Sequence, residues 1–478
     1  REELSREQRD RAKRLPGGMT MQAIILAAGE GRKFFPYDLT RQKAAVPLGN
    51  TFLIRWTVNC LRRAGIEDIV VVVGYREERV LHALRGVEGV RYVRQSPPRG
   101  TAPAVLQACE ERPPGDEPFL VLYGDVLLAE EGLGELVRRV QSTGPLAAAM
   151  LAPMLAAHSG DWILGEFSND RLTGISGHSR GGTHRLCGAY ALSREALDYV
   201  AANPGVVEQV PVGGMPPMEA ELAQSFQMMV DDGREVLAVE HRGLFVDIDK
   251  PWHLLEANHQ FARYLCGRVD EPKLAEDVRI DDGAEVSGHV MAGPGVQIGS
   301  RVQLRGNVII GAGTSITNGA IVGGNCIIGS DVKIRDYCFV GGETVIRNEC
   351  LVGHGAEMSG VLLDGAYLYH YCEMAGVFGA RYDAGAATVC GTLRFDDGET
   401  VHEVRGRKEV PEVGANVAYV GDYTRTGVNA ILMPGVKVGA YSCVGPGVIL
   451  YDDVPHGTLV LAKQELVRRP WGPERYGW

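Results

Sequence analysis

Residues 297–330 read QIGSRVQLRGNVIIGAGTSITNGAIVGGNCIIGS, and an aliphatic residue returns at every sixth position: Ile298, Leu304, Ile310, Ile316, Val322 and Ile328. Followed outward, the register runs without a slip from Ile280, Val286 and Ala292 to Ile334, Val340, Ile346, Val352 and Met358. Four residues after each aliphatic sits a mostly small or β-branched residue, as at Val302, Val308, Thr314, Ala320, Cys326, Val332, Cys338, Thr344, Cys350 and Ala356. The residue directly after it is often glycine, as at Gly293, Gly299, Gly311, Gly323, Gly329, Gly341 and Gly353. A period of six fits neither a 3.6-residue helix nor a two-residue strand alternation. It predicts a parallel β-helix of hexapeptides, with three short strands per coil. The aliphatic side chains fill the prism, and the glycines are expected to relieve its corners.

The register breaks after Met358 and resumes at Val420, Thr426, Leu432, Val438, Val444 and Leu450. Between these runs, Leu393–Glu409 carries Asp397-Gly398, a tight-turn signal. The β-helix is therefore placed at 273–462, with a hairpin-like excursion near 391–413. The basic tail 463–478, with two tryptophans, reads as an extended cap.

The whole chain of 478 residues leaves room for about two more domains. A net charge of -11 argues against a general nucleic-acid binder. No stretch approaches the roughly 18 apolar residues of a membrane span. Residues 1–20 are charged and lack an apolar core, so they read as a disordered tail rather than a signal peptide. Met19 or Met21 reads as the natural start. The ten cysteines show no CxxC spacing, and Cys326, Cys338 and Cys350 fall on the inward ladder as small hydrophobes. Reduced thiols imply a cytoplasmic protein. The twelve histidines show no metal-ligand spacing.

Residues 21–250 alternate apolar runs with amphipathic stretches. Gln22–Ala27, Ile69–Val73 and Phe119–Tyr123 read as buried parallel strands. Thr51–Ala64, Glu77–Leu84 and Ala102–Glu111 read as helices. This alternation predicts a Rossmann-like, doubly wound α/β sheet with its ligand at the carboxyl ends of strands. Residues 251–272 read as a helical linker. The first strand runs into Leu26-Ala27-Ala28-Gly29-Glu30-Gly31-Arg32-Lys33, a glycine-rich turn whose N–H groups can cradle phosphate. Lys43 follows, then Gln95, Gly100-Thr101, Gly124-Asp125, Gly188-Ala189-Tyr190 and Phe245-Val246-Asp247-Ile248-Asp249.

Taken in order, this set resembles the nucleotide-sugar pyrophosphorylases, the sugar-1-phosphate nucleotidyltransferases. A carboxy-terminal left-handed β-helix is a common companion in that family, as in its bifunctional members that also acetylate an amino sugar phosphate. The resemblance implies transfer of a nucleotidyl group from UTP or dTTP to a sugar 1-phosphate, with Mg²⁺. Leu26, Ala27, Ala28, Gly29 and Gly31 then face the nucleotide, and Gln95, Gly100 and Thr101 match the pyrimidine-reading segment. Lys33 and Lys43 match the family's cations at the reacting phosphates. Asp125 and Asp247 match its metal carboxylates. Gly165 and Tyr190 fall at the sugar. The family usually reads Gly-x-Gly-Thr-Arg and then Pro-Lys, where this chain has Arg32-Lys33 and then Gln42-Lys43. Gly177 and Leu186 stand where sugar-binding glutamate and asparagine are usual.

His370 lies close to the histidine that serves the bifunctional relatives as general base toward acetyl-CoA. The neighbouring cations of that site are replaced, its arginine falling near Gly341 and its lysine at Ser359. The resemblance also implies homotrimers through the β-helix. Three readings follow: a nucleotidyltransferase, an acyltransferase acting through the β-helix, and a regulatory or scaffolding protein with a decayed site.

Overall fold

The computed structural model describes residues 21–95, 97, 99–155, 161–177, 181–206 and 219–473. The charged segment 1–20 and the end of the tail, 474–478, lie outside the described residues.

The amino-terminal half is built on one nine-stranded sheet. Its order is Val90–Arg94, Asp68–Val73, Gln22–Ala27, Phe119–Tyr123, His184–Leu192, Ala147–Pro153, Val236–Glu240, Arg171–Gly177 and Ile163–Ser168. The first four strands are parallel, and Asp68–Val73 is buried on both faces, as its unbroken valine run requires. Helices Leu53–Arg63, Glu77–Ala83 and Thr101–Glu111 supply the crossovers. The second half departs from the expected parallel winding. His184–Leu192 runs antiparallel to Phe119–Tyr123 and to Ala147–Pro153, so the sheet is mixed. The cause is local: Ile163–Ser168 and Arg171–Gly177 form a hairpin, and antiparallel neighbours need no crossover helix. Asn169 and Asp170, at φ 51° and 61°, form its two-residue left-handed turn.

From Lys273 the chain coils into the left-handed parallel β-helix. Each residue pairs with one eighteen positions on, as Gln297 does with Ser315 and Ser315 with Lys333, so three hexads make one turn. The six-residue aliphatics from Ile298 to Met358 and the ladder from Val302 to Ala356 are buried together in one core. Cys326, Cys338 and Cys350 lie in that core, and each thiol donates to a carbonyl of the next coil, Cys338 to Gly353 at 2.8 Å.

The glycines after each aliphatic do a different job from the one expected. The left-handed corner residues come two positions later, at Arg301, Asn325, Asp331, Tyr337, Glu343 and Glu349, all with φ between 56° and 61°. Gly311, Gly323 and Gly353 instead allow close stacking: a Cβ at Gly323 would lie 2.4 Å from the backbone of Gly342. The register break after Met358 is a shortened coil. Tyr367 pairs with Asp383, sixteen residues on. There Glu357–Leu362 and Glu373–Phe378 run as continuous strands around one corner, through Gly360 and Gly376.

One prism face carries apolar residues outside as well as inside. Ile309, Ile327, Val345, Val361, Val377 and Tyr419 point away from the interior and join the core of the amino-terminal half. Helix Pro251–Cys266 packs on this face. Arg347, 3% exposed, fixes the junction by donating to the carbonyls of Gly49 and Thr51 at 2.6 and 2.7 Å. Asp422 accepts from Thr40 and Arg41, each at 2.6 Å.

The excursion exists, but its turn is not Asp397-Gly398. Strands His402–Val404 and Arg407–Glu409 pair across Arg405-Gly406. This arm leans on the amino-terminal half: Lys250 pairs with Glu409, and Val404 is buried in the shared core.

Candidate active site

The strand Gln22–Ala27 ends between Asp68–Val73 and Phe119–Tyr123, and the loop 28–33 opens over a cavity of 420 Å³. Leu26, Ala27, Ala28, Gly29, Gly31, Lys33, Lys43, Gln95, Gly100, Thr101 and Asp125 all line it. Gly31 takes φ +63°, and a Cβ there would press on the Lys43 side chain at 3.2 Å. The departure at Gln42 has a structural role. Its Nε2 donates to the Ala27 carbonyl at 2.8 Å, and its Oε1 accepts from the Ala44 N–H at 2.5 Å. The amide thus ties the end of the first strand to the short turn Lys43–Ala45 that carries the lysine.

On the far wall, Gln95 is buried and donates to the Gly100 carbonyl at 3.3 Å. Gly100 takes φ +108°, and a Cβ there would meet the backbone of Ala220 at 2.7 Å. Thr101 donates to Glu221 at 3.0 Å and accepts from the Leu222 N–H at 2.7 Å. Glu219 and Glu221 therefore belong to the cavity, although no motif in the sequence marked them. Burial raises the Glu221 carboxyl above its ordinary value.

Asp125 and Asp247 meet across a short antiparallel ribbon in which Val126 pairs with Asp247. Asp249, read from the sequence as part of the closing motif without a role, stands beside them. Lys43 Nζ lies 2.6 Å from its Oδ1, and Lys33 Nζ lies 3.1 Å from its Oδ2. Burial pushes the Asp247 carboxyl up to about 7, with Asp125 and Asp249 adding like charge. Burial also raises Asp125, while Lys43 pulls it the other way. Burial works against the charge on Asp249 too, yet Lys43 and then Lys33 hold its carboxyl well below the usual range. Burial opposes the charge on Lys43, and Asp249 followed by Asp125 keeps its ammonium above the ordinary value. Among the described residues no group of three or more His, Cys, Asp or Glu could hold a metal by itself. Two hard carboxylates fit a cation that takes its remaining ligands from substrate phosphates and water.

The other predicted residues lie elsewhere. Gly165 packs on Leu151 and Leu186, so the residue standing at the family's asparagine fills space with an apolar side chain. Tyr190 is 1% exposed, between the rings of Tyr123 and Phe226. His370 is exposed at a corner of the β-helix, its ring 5.3 Å from that of Tyr371.

Residues 23–181 match the model of the MobA-like NTP transferase domain. A nucleotidyltransferase domain therefore lies in the amino-terminal part of the chain. The similarity of the chain extends further. It is 27% identical over 453 residues to the bifunctional protein GlmU of Methanococcus maripaludis, covering 94% of this chain and 98% of that one. It is 26% identical over 449 residues to a bifunctional sugar-1-phosphate nucleotidylyltransferase/acetyltransferase of Sulfurisphaera tokodaii, covering 91% and 99%. A glucose-1-phosphate thymidylyltransferase of Streptomyces antibioticus is 27% identical over 285 residues, covering 58% of this chain and 74% of that one. The nucleotidyltransferase domain thus carries the cavity, and the β-helix falls within the span shared with bifunctional relatives. Among the described residues no helix is long and apolar enough to cross a membrane.

Proposed function

We propose that this protein transfers a nucleotidyl group from UTP or dTTP to a sugar 1-phosphate. The observation that carries the reading is the single cavity that gathers the glycine-rich turn, Lys33, Lys43 and Asp125, with Asp247 across the ribbon. A phosphate oxygen of the sugar attacks the α-phosphorus, the bond to the β-phosphate breaks, and pyrophosphate leaves. No protein nucleophile is needed, so positioning and charge stabilisation supply the catalysis. Backbone N–H groups of the loop 28–33 cradle the triphosphate. Lys43 and Lys33 exchange Asp249 for phosphate oxygens as the substrate enters. Asp125 and Asp247 hold Mg²⁺, which neutralises charge on the reacting phosphates when bound. Gln95 and Thr101 read the pyrimidine edge.

The similarity of the β-helix region to the two bifunctional relatives supports a second activity, acyl transfer from acetyl-CoA at His370. The same relationship supports a homotrimer. Ten unpaired thiols support a reducing, cytoplasmic setting. The test is pyrophosphate release with Mg²⁺, crossing UTP and dTTP against glucose and N-acetylglucosamine 1-phosphates. Sugar-dependent release with one pair supports the reading, and no release from folded protein with any pair rejects it. In parallel, thiol release from acetyl-CoA with amino sugar phosphates is measured for wild type and His370→Ala. Loss of acyl transfer with nucleotidyl transfer intact supports the second activity.

A further inference from the structure

The arm that leaves the β-helix ends at the nucleotidyltransferase cavity, and its tip residue, Arg405, lines that cavity beside Lys33 and Asp249. Arg405 and Gly406 take φ 50° and 80°, a two-residue left-handed hairpin turn. Such turns favour Asn-Gly, Asp-Gly or Gly-Gly, and a long side chain in the first place is disfavoured by roughly 1 kcal/mol. The turn does not need an arginine. A residue held in a disfavoured conformation beside a cavity points to a use for its side chain.

Charge balance points the same way. The described lining carries four cations: Arg32, Lys33, Lys43 and Arg405. Arg32 pairs with Glu30, and both lysines pair with Asp249. Arg405 alone has no carboxylate partner among the described residues. Its place is fixed from behind. Val404 is buried in the shared core, and Glu409 pairs with Lys250. His402 packs 5.2 Å from the Trp252 ring and accepts from Lys437 Nζ at 3.1 Å.

We propose that Arg405 binds a phosphate of the nucleotidyl-transfer substrates, so that the β-helix completes the amino-terminal site; this rests on the nucleotidyl-transfer reading above. A guanidinium presents a planar fork that engages two phosphate oxygens at once. The ligand is an anionic phosphate, whether of the triphosphate or of the sugar 1-phosphate.

The test is equilibrium titration of the full chain with Mg²⁺-UTP, Mg²⁺-dTTP, inorganic pyrophosphate and glucose 1-phosphate. Wild type is compared with Arg405→Gly, Arg405→Lys and the control Arg407→Ala on the same arm. Glycine suits the left-handed turn, so Arg405→Gly keeps the arm folded, which an unchanged thermal midpoint verifies. The expected result is about tenfold weaker phosphate binding in Arg405→Gly, part of it restored in Arg405→Lys, and none lost in Arg407→Ala. Weakening confined to nucleotide and pyrophosphate assigns Arg405 to the triphosphate, and weakening confined to glucose 1-phosphate assigns it to the acceptor. Unchanged affinities in Arg405→Gly overturn the inference while leaving the nucleotidyltransferase reading intact. A wild type that binds none of the four ligands overturns that reading and the inference together.

Discussion

The ammonium of Lys43 stands 2.6 Å from Oδ1 of Asp249, and the other oxygen of that carboxylate is taken by Lys33. One carboxylate therefore holds both lysines. The two are not equivalent, since the Lys43 side chain is 12% exposed and that of Lys33 51%. Lys43 acts in a drier environment, where charge is worth more. Lys43→Ala is expected to lower kcat/KM for pyrophosphate release by about 100-fold, and Lys33→Ala by about tenfold. A larger loss from Lys33→Ala would reverse their assignment.

Asp125 and Asp247 can be separated from Asp249 by their dependence on metal. Both are held close by the ribbon pairing Val126 with Asp247, and among the described residues neither forms an ion pair as short as that of Asp249. Asp125→Asn and Asp247→Asn keep size and hydrogen bonding but remove the hard anionic oxygens. Each is expected to reduce Mg²⁺-dependent turnover by at least about 100-fold, with a raised Mg²⁺ concentration at half-maximal rate. Wild-type rates and metal dependence in both variants would show that the cation is held elsewhere.

How much of this was legible depends on how directly geometry constrains residue type. The prism interior takes an aliphatic or methionine side chain at every sixth position from Ile298 to Met358, and that spacing declared the β-helix. A second period was present and went unread. The outward positions Ile309, Ile327, Val345 and Val361 recur once per coil and mark the docking face. Gln297, Ser315 and Lys333 occupy the matching positions of another face. The glycine-rich loop 28–33, Lys43 and Asp125 could be quoted together from their order in the sequence, and the fold brings them to one cavity. Asp249 was quoted but given no role, because its partners Lys33 and Lys43 lie far away in the chain. Glu221 and Arg405 were missed for the same reason: only the tertiary fold brings them to the cavity. The mixed half of the sheet was missed because alternating apolar runs do not encode strand direction.

Acid lability is expected from the connecting helix. Burial pushes the His259 imidazole down to about 4, with Arg263 adding to it, and burial takes His253 to about 3. The unfolded value is about 6.5. Between these values the unfolded chain binds protons that the folded chain does not. Stability therefore rises with pH across this window and is lost as pH falls from about 6.5 toward 4. His259 Nε2 has no hydrogen-bond partner among the described residues, so an apolar replacement forfeits little there. Urea midpoints measured at pH 7 and pH 5 should differ less in His259→Leu than in wild type, by about 1–2 kcal/mol of stability. An identical pH dependence in the two proteins would falsify the assignment of this histidine.

The shortened coil makes the sharpest structural prediction. Gly376 turns the corner of Glu373–Phe378 at φ +136°, and a Cβ there would lie 1.9 Å from the Ala418 carbonyl oxygen. Gly360, one coil below, stacks on Gly376 just as closely, with its own Cβ position 2.2 Å from the Gly376 oxygen. Backbone, not a flexible side chain, occupies the space on both levels, so neither neighbour can yield without moving a whole coil. Ala418 is also where the chain rejoins the prism after the arm that carries Arg405. Gly376→Ala is expected to lose more than about 3 kcal/mol in urea unfolding followed by circular dichroism. Gly447 is the control: it also has positive φ, at +65°, but nothing lies within 4 Å of its Cβ position. Gly447→Asn should lose no more than about 1 kcal/mol, because asparagine tolerates the left-handed region and meets no neighbour. Equal losses at the two sites would mean that backbone conformation alone, rather than the contact between coils, sets the demand for glycine at this corner.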